Sequence, residues 1–157
     1  MKFSKLKPSS ARGRLKGVIG DLHLKLLRLQ RGNKCEISGD TNCPVGRFHI
    51  LRTGSHPRLE FESENILLCR WFPEHYAWHH NGANDARNAK TLARIKELKG
   101  EDYEEKLLKI EATKQRHDML YLEALKLYLK SEIGRLNKET EIKLKKDLTN
   151  QSGLGKI

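Results

Sequence analysis

Acidic side chains are nearly missing from one end of this 157-residue chain. Residues 1–34 hold Asp21 as their one acid against ten Lys and Arg, and so carry +9 of a net charge of +11. Long apolar runs are missing too. None approaches the roughly 20 residues that cross a bilayer, and Met1–Pro8 is basic without the apolar stretch of a signal peptide. A soluble, cytoplasmic protein is expected, with no membrane partner. Cysteine is scarce: three thiols cannot all pair within one chain, which speaks against a disulfide scaffold. No internal repeat or low-complexity tract appears, so solenoid architectures drop out. With 37% hydrophobic and 32% charged residues, the chain is polar for a globule yet too apolar for disorder.

What is present begins with that basic end. A concentrated positive field attracts polyanions, and displaced counterions make the attraction strong and salt-dependent. Lys2, Lys5, Lys7, Arg12, Arg14 and Lys16, joined by Arg47 and Arg52 further on, are the candidate nucleic-acid contacts. A solvated helix face with a loose tail is the alternative. Residues 1–10 read as a basic arm. From Ala11 to about Arg31, Leu15, Val18, Ile19, Leu22, Leu26 and Leu29 recur at spacings of three and four, an amphipathic helix that Gly32-Asn33 would stop.

The middle of the chain changes character. Arg47–Leu51 and Leu59–Glu62 read as two short strands of a ribbon, joined by the loop Thr53–Arg58. Helix is expected from Asn65 to about Asn81, with Pro73 in a first turn starting near Phe72. Further helices follow. Ala89, Leu92 and Ile95 mark a stripe closed by Gly100, Tyr103, Leu107 and Ile110 a second, and Met119, Leu122, Leu125, Leu129, Ile133 and Leu136 a third. The expected fold is α+β and mostly helical. Its segments are 1–32 (basic arm and helix), 33–82 (ribbon and helix), 83–150 (helical region) and 151–157 (frayed tail). The stripes are core; a self-association face on the last helix, giving a homodimer, is the other reading.

Chemistry concentrates between Cys35 and His80. His49 stands in the expected first strand, Asn65 after the second, and His75, His79 and His80 on the helix beyond. A neutral imidazole with a pKa near 6.5 suits removal of a proton from the water that attacks a phosphodiester. His75 and His79 are four apart, so on a helix they face one way and can grip one cation. The side-chain amide of Asn65 donates and accepts together, and so can pin the loop carrying the base. His56 also lies in that loop and offers a second phosphate or metal contact, but stands outside the candidate set. Cys35, Cys43 and Cys69 with one histidine offer enough donors for a structural zinc; packing as small hydrophobes is the alternative.

His49-Ile50, Arg58-Leu59-Glu60-Phe61, Glu64-Asn65-Ile66, Cys69 and His75-Tyr76-Ala77-Trp78-His79-His80-Asn81 together resemble the HNH, or ββα-metal, endonucleases. The order is most similar to phage recombination nucleases of the NinG/Rap type, over about residues 33–135. The resemblance implies an enzyme of a bacterial or phage-infected cell that cleaves duplex or branched DNA with magnesium, manganese or zinc. It assigns His49 as general base, Asn65 as the loop-fixing residue, and His75 with His79 or His80 as metal ligands. Two positions depart from that pattern. Many relatives carry Asp or His before the base, where this chain has Phe48. Many also hold zinc on two Cys-x-x-Cys pairs, where this chain has Cys35 with Ser38 and Cys69 with Phe72.

Overall fold

A computed structural model describes residues 10–70, 75, 78 and 86–153. Over these, the protein is a mostly helical α+β chain with one small antiparallel sheet. Its elements are α1 (Ala11–Arg31), β1 (Val45–His49), β2 (Ile66–Arg70), α2 (Ala86–Lys99), α3 (Tyr103–Thr113) and α4 (Met119–Gly153), with 3-10 turns at Pro57–Leu59 and Ser63–Asn65. The chain divides into two compact units. One is Met1–Leu29 with Met119–Ile157, the other Gln30–Asp118.

In the first unit, the Ser10 hydroxyl accepts the Gly13 N–H and so caps an otherwise unpaired donor at the start of α1. The expected stripe is buried in part: Leu15, Ile19 and Leu26 lie inside with Leu27, which it left out, while Leu22 is half-buried and Val18 and Leu29 are exposed. Gly32 ends the helix with φ at +81°, a conformation that costs glycine little and a β-carbon much. On α4, Leu122, Leu129 and Ile133 are buried, and the helix continues to Gly153, into the segment expected to fray.

In the second unit, β1 and β2 pair antiparallel, with Val45 opposite Arg70, Phe48 opposite Leu67 and His49 opposite Ile66. Both strands differ from the sequence reading. The first begins two residues earlier than expected, and the second is Ile66–Arg70 rather than Leu59–Glu62. Leu59 and Phe61 are both buried and so mimic strand alternation. Pro57 instead opens a 3-10 turn, and the bonds from Leu59 N to His56 O and from Glu62 N to Leu59 O close successive turns. Ile66, Leu67, Leu68 and Cys69 are all buried, so this strand is a continuous apolar run that period-2 patterning misses.

The edge of β2 away from β1 is covered. Arg31 Nη1 donates to the carbonyl of Ile66 at 2.8 Å, and Glu36 N donates to the carbonyl of Leu68 at 2.7 Å. In return, Leu68 N donates to Glu36 Oε2 at 2.6 Å. Polar groups of the strand that would otherwise stay unpaired are satisfied in this way. Arg94 on α2 donates to the carbonyl of Glu36 and so holds the covering segment itself. Helices α2 and α3 pack together, and α3 packs on the Pro57–Leu59 turn. Gly100, at φ +94°, makes the bend between them; a β-carbon there would stand 3.0 Å from Asp102 Oδ1.

Candidate functional site

His49 and Asn65 stand at the two ends of the loop that joins the strands of the ribbon. His49 is the last residue of β1, and its ring Nε2 lies 3.0 Å from the carbonyl oxygen of Glu60. A carbonyl can only accept, so Nε2 carries the hydrogen and Nδ1 is left with a lone pair. Burial pushes the imidazole below its ordinary pKa. The Glu60 carbonyl opposes that shift, and the charge of Arg47, on the same face of β1, adds to it. The ring therefore stays neutral into mildly acidic conditions.

Asn65, fully buried, holds the loop shut. Its Oδ1 accepts from Leu51 N at 2.8 Å, and its Nδ2 donates to the carbonyls of Leu51 at 3.0 Å and Leu59 at 3.4 Å. Its backbone carbonyl accepts from Ile50 N at 2.9 Å. One residue thus ties the start of the loop to its end, next to the Glu60 carbonyl that orients His49.

Phe48 points the other way from His49, as strand alternation requires, and is wholly buried. The rings of His75 and Trp78 lie against it, at centroid distances of 5.6 and 6.0 Å, and Trp78 Nε1 donates to the carbonyl of Ile50. Of the expected cation ligands, only the half-buried His75 falls among the described residues. His79 and His80 lie outside them, as do Lys2, Lys5, Lys7, Trp71, Phe72 and Tyr76. Imidazole nitrogen suits zinc and similar transition metals, whereas magnesium prefers oxygen. His75, joined by His79 or His80, fits the former by donor chemistry.

The cysteines are brought together in part. Cys35 Sγ and Cys69 Sγ are 3.8 Å apart and buried, and none of the three cysteines is in a disulfide. Burial raises the Cys35 thiol, but hydrogen bonds from Ser38 and from backbone N–H groups of Arg70 and Ile37 outweigh it, and the pKa ends below the ordinary value. Cys43 is half-buried, its Sγ 3.8 Å from the carbonyl of Asp40.

The expected phosphate contacts are dispersed. Arg12 and Arg14 are exposed on α1, and Lys16 is half-buried there. The Arg47 guanidinium stacks 5.6 Å from the centre of the Phe61 ring, whose other neighbour is the ring of His117. Arg52 is exposed in the loop, where it has a companion that the sequence reading set aside. His56 Nδ1 lies 2.7 Å from Glu111 Oε2. Compared with protein-family models, curated proteins and solved structures, the chain has no significant match to any of them.

Proposed function

We propose that this chain is a metal-dependent DNA endonuclease of the HNH, or ββα-metal, type, with His49 as its general base. The observation that carries the reading is the bond between His49 Nε2 and the Glu60 carbonyl, which leaves Nδ1 as the basic atom. As a water oxygen attacks phosphorus, Nδ1 takes its proton; the lowered pKa keeps that nitrogen available at neutral pH. Asn65 holds the Glu60 end of the loop against the base. The resemblance assigns a divalent cation to His75 with His79 or His80, and such a cation would supply positive charge to the phosphate and the departing oxygen; His75 itself packs on Phe48, on the face of β1 opposite His49. The basic residues of α1 grip the backbone of duplex or branched DNA.

The test is nicking of plasmid DNA in magnesium, manganese or zinc. His49→Ala should lower the rate by roughly 10²–10⁴ and leave DNA affinity unchanged. Equal rates for the wild type and the variant would remove His49 from the mechanism.

A second reading, a non-catalytic nucleic-acid-binding module on the same scaffold, is favoured by Phe48. It is a buried hydrocarbon where many HNH enzymes carry a ligand, and it packs His75 on the face of β1 opposite His49. Salt-dependent DNA binding with no manganese or zinc uptake by calorimetry, and no nicking, would select that reading.

A further inference from the structure

The loop that Asn65 closes carries a second group of polar side chains which the proposed chemistry leaves unused. Arg52, Ser55 and His56 line a cavity of about 520 Å³ whose other walls include Ile50, Trp78 and Leu92. Both Ser55 N and His56 N donate to the carbonyl of Arg52, at 3.1 and 2.9 Å, so a tight turn sets the three side chains beside one another.

His56 is oriented from outside the loop. Glu111, on α3, accepts the Nδ1 hydrogen at 2.7 Å, with the two side chains only 27% and 19% exposed. A carboxylate accepts and does not donate, so Nε2 is the ring atom left to meet a ligand. Ordering a partly buried imidazole and carboxylate costs side-chain entropy and hydration. A guanidinium, a hydroxyl and a carboxylate-backed imidazole around one cavity are together the donor set of an anion site.

We infer that this cavity takes a backbone phosphate of a nucleic-acid strand. Arg52, Ser55 and His56 hold the phosphate, and Ile50 and Leu92 meet its sugar. The inference rests on the nucleic-acid reading above and makes His56 a substrate-binding residue. Arg52, Ser55 and His56 stand on the loop that leaves β1 just after His49, and Trp78, which walls the cavity, packs on Phe48.

The experiment measures affinity for a short duplex against salt in the presence of a chelator, which separates binding from cleavage. His56→Ala and Arg52→Ala should each flatten the slope of log affinity against log salt by about 0.9, one phosphate contact. Their double variant should lose less than the sum, since both hold one group. Where His56→Ala is poorly folded by circular dichroism, Glu111→Gln replaces it; weaker binding is expected, because the carboxylate that orients the ring is lost. Wild-type affinity and slope in the folded variants would overturn the assignment. Inorganic phosphate is the second probe: if it shifts the His56 ring resonances and the duplex does not, the site takes free phosphate and the strand assignment falls. Plasmid nicking then separates this site from the His49 reading. If slopes respond while wild type never nicks, the nuclease reading fails and the phosphate site stands. If wild type nicks and His56→Ala matches it in KM, the phosphate site fails and His49 stands. A true phosphate contact raises KM and leaves kcat near wild type.

Discussion

Asn65 and Leu51 exchange hydrogen bonds in both directions: the Leu51 N–H donates to Asn65 Oδ1, and Asn65 Nδ2 donates to the Leu51 carbonyl. The side-chain amide thus imitates a strand partner at the point where β1 has ended. Asn65→Ala would leave both backbone groups of Leu51 without this partner in a part-buried setting. We expect it to cost about 2–4 kcal/mol of stability, given the penalty of unsatisfied buried groups. Urea denaturation checks this, and a loss under about 1 kcal/mol would show that the loop closes without the clamp.

The lowered pKa of His49 makes both stability and activity depend on pH. The unfolded chain takes a proton on this residue near its ordinary pKa of about 6.5, while the folded protein resists it. Protonation therefore favours unfolding. The His49 contribution should be absent above that pH and grow as a destabilisation while pH falls through the window below it. If His49 is the base, the acid limb of kcat/KM should also fall below 6.5. His49→Asn, compared with wild type at pH 5 and pH 8, should show a smaller loss of stability on acidification.

The spacing of Cys35 and Cys69 makes a metal prediction. Their 3.8 Å separation is the edge of a tetrahedron with metal–sulfur bonds of about 2.3 Å. Ser38, whose N–H donates to Cys35 Sγ, stands where a third thiolate would complete the set. Ser38→Cys should bind cobalt with a thiolate charge-transfer band, and at least about tenfold more tightly than wild type, because thiolate number governs affinity. Loss of that band in Cys69→Ser would tie it to this pair, and its persistence would place the metal elsewhere.

The basic arm gives the last prediction. Deleting residues 2–10 removes Lys2, Lys5 and Lys7. If these neutralise phosphates, the salt slope on duplex DNA should flatten by roughly two to three units, equally for unrelated sequences. Filter binding at several salt concentrations measures it. An unchanged slope makes the arm a solubilising tail, and a loss on one sequence only makes it a base reader.

The parts legible in the sequence are those whose causes are local. Both Gly32 and Gly100 end helices at positive φ, where the apolar stripes stop. Asn65, picked for an amide that donates and accepts, does both. The second strand was hidden because Ile66–Cys69 is buried on both faces, while Leu59 and Phe61 alternate within turns. For His56 the sequence offers a phosphate or metal contact, but not what orients it. Its partner Glu111 lies 55 residues further along the chain, and no spacing rule joins a loop histidine to a glutamate on a distant helix.

The guard on the free edge of β2 also has an order in time. Arg31 and Glu36 precede β1 in the chain, and β1 precedes β2. A growing polypeptide leaves the ribosome from its N-terminus, so both neighbours of Ile66–Arg70 have been made before the strand itself emerges. The most apolar strand of the protein meets its two flanks on arrival, and a nascent chain beside it on a crowded polysome finds no unpaired ladder to join.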